Sequence, residues 1–98
     1  MNMQNLMSQV QKMQKDVQKK QSEVEKMKFE GTSEWVNVTL NGKRECLKID
    51  IKHKELDADD IDMLEDMIKI AFSDALSKID AEYDKKLGMY GKTLNGLM

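Results

Sequence analysis

Apolar residues recur at alternating spacings of three and four through the first 27 residues, and this pattern dominates the sequence. It places a narrow apolar stripe, here called the seam, on one face of a helix predicted over about residues 2–27. The other positions are mainly Gln, Lys, Ser and acidic residues, so the seam favours a partner helix from the same chain or from a second copy. The seam consists of Met3, Leu6, Val10, Met13, Val17, Val24 and Met27, and Lys20 interrupts it.

The pattern then changes to alternation of apolar and polar residues, which predicts two antiparallel strands within residues 35–52. Asn41 and Gly42 separate the two runs, and this pair is favoured in tight hairpins whose central residues both need positive φ. Phe29 marks a possible first strand, followed by a turn at Gly31. We therefore expect a small antiparallel sheet over about residues 28–52, packed on a helix. The alternating apolar positions are Val36, Val38 and Leu40, then Leu47, Ile49 and Ile51.

A second helix is predicted over about residues 58–87, with Asp57 as its N-cap. Its apolar stripe is wider than the seam, which is typical of a helix that packs in a core. Gly88 and Gly91 end the pattern, and residues 88–98 are predicted to form a flexible tail. The predicted fold is a single α+β domain spanning residues 1–98, with a projecting N-terminal helix. The stripe is formed by Ile61, Leu64, Ile68, Ala71, Phe72, Ala75 and Ile79.

Charge is distributed unevenly, although the net charge of the 98 residues is only −2. Residues 1–28 carry +3 and residues 85–98 carry +3, whereas residues 55–84 carry −9. Such asymmetry can orient a protein on a polyanion. The single cysteine fits a reducing cytoplasm, and the sequence has neither a compact apolar signal segment nor an apolar run long enough to span a membrane.

Few residues of the sequence suggest catalysis or metal binding. His53 is the only histidine and is expected on the solvated surface, and Cys46 is the only cysteine. One histidine and one cysteine do not form an ordinary zinc site within one chain. The carboxylates near Asp57 lack the spacing of a calcium loop and are expected to cap a helix. We therefore predict a protein that is not an enzyme and has no cofactor, metal or small-molecule substrate.

Lysines of the first helix fall at offsets of three, four and seven, on the face opposite the seam. A row of cations along a rod can bind a phosphate backbone with little dependence on sequence. The spacing alone leaves open that the row is an ordinary solvated face. Aromatic residues are absent from this face, which disfavours single-stranded nucleic acid. The candidate row consists of Lys12, Lys15, Lys19 and Lys26.

The stretch from Asp62 to Ala75, DMLEDMIKIAFSDA, resembles the second helix of the YbaB/EbfC nucleoid-associated proteins. The Gln-, Met- and Lys-rich first helix, the strand and turn from Val36 to Gly42 and the run from Leu47 to Ile51 follow in the family's order. The resemblance implies a cytoplasmic, nucleoid-bound homodimer that binds double-stranded DNA through projecting helices. It gives Lys12, Lys15, Lys19, Lys85 and Lys86 as contact candidates. The dimer interface is predicted at Met3, Leu6, Val10, Met13, Val17 and Trp35.

Two other functions are compatible with the pattern. A prefoldin-like module also joins two helices through a hairpin, and it would hold unfolded chains at its Met-bearing helix ends. An adaptor subunit would pair its seam with a different protein. Suppression of client aggregation without binding to duplex DNA would favour the prefoldin-like module, and a monomeric pure chain would count against pairing with itself.

Overall fold

Two long helices and a three-stranded antiparallel sheet form the described part of the chain, residues 3–88 of a computed structural model. This confirms the predicted α+β class and element order, and the helix ends lie within about three residues of those predicted. The predicted flexible tail lies outside the described residues, apart from Gly88. The elements are α1 (Met3–Glu25), β1 (Lys28–Thr32), β2 (Val36–Asn41), β3 (Cys46–Ile51) and α2 (Ile61–Leu87), with a 3₁₀ turn over Ala58–Asp60.

The core lies between α2 and one face of the sheet, whose strand order is β1-β2-β3. Residues of β2 alternate between buried and half-buried, as the period-two pattern predicts. The helix contributes small side chains at its centre, which lets the sheet approach closely. We call the face that packs on α2 the inner face and the opposite one the outer face. The buried core consists of Val24, Phe29, Val36, Val38, Leu40, Ala71, Ala75 and Ile79.

Gly31 lies inside β1, so the predicted turn at this residue is wrong. A Cβ atom at Gly31 would overlap the backbone carbonyl of Ala71 and would lie 2.8 Å from the Cβ of Ala75. The glycine therefore serves the close packing of β1 on α2 rather than a change in chain direction.

The β2–β3 hairpin is confirmed, but its turn differs from the predicted one. Neither Asn41 nor Gly42 has positive φ, whereas Arg44 has a φ of 68°. The Arg44 N–H donates to the Asn41 carbonyl at 3.0 Å, and the Asn41 N–H donates to the Glu45 carbonyl at 3.0 Å. The loop is therefore longer than two residues and ends in a left-handed residue, a common alternative hairpin geometry.

Gly42 is needed at the point where α1, the hairpin and α2 meet. A Cβ atom there would overlap the Val24 carbonyl group. The Gly42 N–H donates to the Glu25 carbonyl at 3.2 Å, and the Tyr83 hydroxyl donates to the Gly42 carbonyl at 2.9 Å. Burial and the nearby Glu25 carboxylate raise the pKa of Tyr83, while Arg44 partly offsets them. These contacts fix the C-terminal end of α1 to the body of the fold.

The molecule is elongated, with dimensions of 70 × 22 × 16 Å. Because α2 is only about 40 Å long at 1.5 Å per residue, α1 must extend well past its C-terminal end. The last turns of α1 pack against α2, where Val24 is fully buried. The first turns of α1 form a projecting arm, as the sequence predicted.

Candidate functional site

A row of exposed lysines follows α1 on the side that faces away from α2. All four predicted residues are exposed, and they form no ion pairs within residues 3–88. Lys20, which interrupts the seam, instead pairs with Asp16 at 3.2 Å. The row can therefore present free ammonium groups to an anion over about 20 Å, from the arm to the C-terminal end of α1. It consists of Lys12, Lys15, Lys19 and Lys26.

The direction of the row follows from helix geometry. Each residue turns about 100° around α1, so Lys15 and Lys19 lie roughly opposite Val24. Since Val24 is buried in the core beside α2, the row points away from α2. The segment with a charge of −9 includes most of α2, so the row and the acidic helix face opposite sides of the molecule.

Lys85 and Lys86 lie in the last turn of α2, near the base of the arm. Lys85 is exposed and Lys86 is half-buried. Basic residues at a helix C-terminus interact favourably with the helix dipole, so a structural role accompanies any role in binding.

The predicted dimer interface does not form one surface in the structure. The first half of the seam is exposed, with Met3 at 78% and Val10 at 45%, and Val17 is half-buried. Trp35 lies at the other end of the fold, in the β1–β2 turn, where it packs against the core. The spacing of apolar residues in the sequence does not reveal this separation, because it does not specify how α1 is oriented relative to the sheet.

His53 is exposed, as predicted, but its ring is stacked on Trp35. The ring centroids are 4.2 Å apart, and the planes differ by 7°. Lys52 continues the pairing with β2, since its N–H donates to the Trp35 carbonyl at 2.6 Å. Trp35 therefore lies beside the end of β3.

The two edges of the sheet differ in a way that the sequence did not reveal. At the β1 edge, the Thr32 N–H donates to Asp74 Oδ2 at 3.0 Å, and Lys78 Nζ donates to the Glu30 carbonyl at 2.7 Å. Within residues 3–88, no hydrogen bond reaches the outer backbone groups of Ile49 on the β3 edge. Side chains of α2 therefore protect one edge from further pairing and leave the other open.

The open edge is also apolar. Ile49 pairs with Val38 and Ile51 with Val36, so both isoleucines belong to the inner face. Ile49 remains 49% exposed because α2 covers mainly β1 and β2. A strand of this kind can accept another strand and bury its apolar side chains at the same time.

In the range 3–88, no three His, Cys, Asp or Glu residues are grouped to hold a metal ion. Neither α1 nor α2 has the length and apolar character needed to cross a bilayer. Cys46 is an exposed free thiol on β3.

The fold and the lysine row together define a small α+β protein with a cationic arm and an anionic helix on the opposite side. The YbaB/EbfC DNA-binding family matches residues 1–94, and the chain belongs to this family. A nucleoid-associated protein of Ligilactobacillus salivarius is 40% identical over 99% of this chain and 95% of its own length. A nucleoid-associated protein of Enterococcus faecalis is 41% identical over 97% of this chain and 93% of its own length. Another, of Oceanobacillus iheyensis, is 42% identical over 96% of this chain and 92% of its own length.

Proposed function

We propose that the chain is a nucleoid-associated protein of the cytoplasm that binds double-stranded DNA as a homodimer with low sequence preference. The observation that carries the proposal is the row of exposed lysines along α1, which form no ion pairs within residues 3–88, in a chain of a DNA-binding family. Contacts to phosphates position a protein on the duplex but do not read bases. The Gln residues beside the row can donate to phosphate oxygens as well.

Self-association is supported by two exposed apolar surfaces. One is the free half of the seam, from Met3 to Met13, as the sequence predicted. The other is the edge of β3. The Lys52 N–H donates to Trp35 on the β2 side, and backbone groups alternate in direction along a strand. The N–H and C=O of Ile49, three residues earlier, therefore face outward. Trp35 lies beside this edge, so we favour β3 as the dimer contact and keep the seam as the second candidate.

The proposal is tested by measuring affinity for duplexes of several sequences over a range of salt concentrations. With about five to eight phosphate contacts, the slope of log K against log salt should be about −4 to −7. In a homodimer, changing Lys12, Lys15 and Lys19 to Gln removes these lysines from both subunits, so the slope should become less negative by up to about 5.4 and binding to every duplex should weaken.

A matched control changes Lys52, Lys54 and Lys69 to Gln, which alters the net charge equally but away from the row. This control should leave the slope close to that of the wild type. Equal losses of affinity in both variants would show that binding depends only on net charge. Failure of the wild-type chain to bind duplex DNA at low salt would refute the proposal.

A further inference from the structure

The outer face of the sheet carries basic residues that the sequence patterns did not connect to the lysine row. Core residues of β1 and β2 belong to the inner face, so their neighbours in the strands belong to the outer face. Lys28 is paired with Asn41, and Thr39 with Lys48, and all four are therefore on the outer face. None of the helices described over residues 3–88 packs on this side of the sheet.

A groove of about 350 Å³ opens at the hairpin end of the sheet, next to the base of α1. Its lysines come from three parts of the chain: Lys26 follows α1, Lys28 begins β1, and Lys43 lies in the hairpin. Lys26 and Lys28 are close in the sequence, and the fold brings Lys43 beside them. The groove is lined by Glu25, Lys26, Lys28, Asn41, Lys43, Glu45 and Leu47.

Hydrogen bonds within the hairpin fix the shape of this groove. Asn41 Oδ1 accepts from the N–H of Lys43 at 2.9 Å and from that of Glu45 at 3.0 Å. Asn41 Nδ2 donates to Glu45 Oε1 at 2.8 Å, which occupies one oxygen of this carboxylate. Lys26, Lys28 and Lys43 form no ion pairs in the described part of the chain, so their ammonium groups are available to an external anion.

The groove and the lysine row both face away from α2. The row points away from α2 because Val24 faces the core, and the outer face of the sheet points away from α2 because the inner face packs on it. Lys26 belongs to both sets, since it ends the row and lines the groove. A polyanion bound along the lysine row can therefore continue through Lys26 onto the outer face of the sheet, away from the acidic helix α2.

We propose that this groove is a second phosphate-binding surface, at which Lys28 and Lys43 contact the DNA backbone beyond the reach of α1. The inference rests on the proposed function, because its ligand is the phosphodiester backbone of the same duplex. It extends the DNA path from the arm to the body of each subunit. Lys48, on the same face, lies beside this path.

The test uses the full chain with Lys28 and Lys43 changed to Gln, and a control with Lys54 and Lys69 changed to Gln. Both variants lose the same charge. The groove variant should bind duplex DNA about tenfold or more weakly near 0.1 M salt, and the control should resemble the wild type. Because a homodimer loses both lysines from each subunit, the slope of the groove variant should be less negative by up to about 3.6. A groove variant that matches the control, while the Lys12, Lys15 and Lys19 variant loses binding, would overturn this inference and leave the proposed function standing.

Lysine-modification footprinting of the wild-type chain provides a measurement that does not depend on variants. Bound duplex should protect Lys28 and Lys43 from the reagent, and Lys69 should stay reactive. Full reactivity of Lys28 and Lys43 under conditions that protect Lys12 and Lys15 would also overturn the inference. If the wild-type chain does not bind the duplex at all, the proposed function fails as well.

Discussion

The carboxylate of Asp74 on α2 accepts a hydrogen bond from the backbone N–H of Thr32, with 3.0 Å between nitrogen and oxygen. Thr32 is the last residue of β1, and its N–H points away from β2. The contact therefore satisfies a donor at the sheet edge and ties that edge to α2. Lys78 complements it from the next turn, at 3.4 Å from the carboxylate.

Acid should weaken this contact. The Thr32 N–H, assisted by Lys78, holds the pKa of Asp74 below its ordinary 3.8, although desolvation acts in the opposite direction. Because the pKa is lowered in the folded protein, the ionised carboxylate stabilises the fold at every pH above the ordinary pKa. This contribution is lost as the pH falls through the lower pKa of the folded protein. Urea midpoints of wild type and Asp74→Asn should differ at neutral pH, and the difference should shrink only as the pH falls below about 3.8.

Asp66→Asn is the matched control for this measurement. Asp66 is exposed on the same helix, and its side chain has no hydrogen bond or ion pair within residues 3–88. Its substitution should leave the pH dependence unchanged. A constant difference between wild type and Asp74→Asn from neutral to acidic pH would contradict the assigned role of Asp74.

Gly31→Ala should destabilise the protein by about 2–3 kcal/mol, because the added methyl group would force β1 away from the α2 backbone. The free energy of unfolding in urea measures this effect. Gly88→Ala is the control, since a Cβ there meets nothing within 4 Å and the residue has helical φ and ψ. This change should be neutral or stabilise by up to about 1 kcal/mol. Equal effects of the two substitutions would disprove the close-packing explanation.

Changing Lys85 and Lys86 to Gln should weaken DNA binding less than the change of three lysines on α1. At most two phosphate contacts are removed from each subunit of the homodimer, so the salt slope should become less negative by at most about 3.6. Helix content by circular dichroism should be checked, because these residues also favour the C-terminal end of α2. An unchanged slope would remove both residues from the DNA-contact set.

Ile49→Asp should shift the proposed dimer towards monomer in sedimentation velocity at micromolar concentration. A charge at this half-exposed position would lie in the apolar contact between two β3 edges. The paired variant Leu6→Asp with Val10→Asp tests the seam in the same way. If only the seam variant dissociates, the dimer contact belongs to α1, as the apolar spacing of that helix predicts.

Local sequence patterns predicted much of the fold because apolar periodicity reports directly which side of an element is buried. Alternation in β2 and the wide stripe of α2 both correspond to the observed core. The predicted turn type is wrong because Gly42 is required by packing against Val24, a tertiary contact that no dipeptide preference records. The predicted turn at Gly31 is wrong for the same reason.

The candidate site was predicted only where it lies on one element. Helical offsets alone are enough to place Lys12, Lys15 and Lys19 on one face. Lys28 and Lys43 meet at the groove only through the pairing of β1 with β2, so their proximity has no local signature. Exposure of Ile49 likewise depends on how far α2 extends across the sheet.

The acidic character of α2 has a consequence for a coated duplex. If the cationic side of each subunit meets the phosphates, the carboxylates of α2 form the exterior of the complex. That exterior would repel a neighbouring duplex much as bare DNA does. Protein bound in this way would coat a single duplex in one layer, and it would not crosslink separate duplexes into bundles.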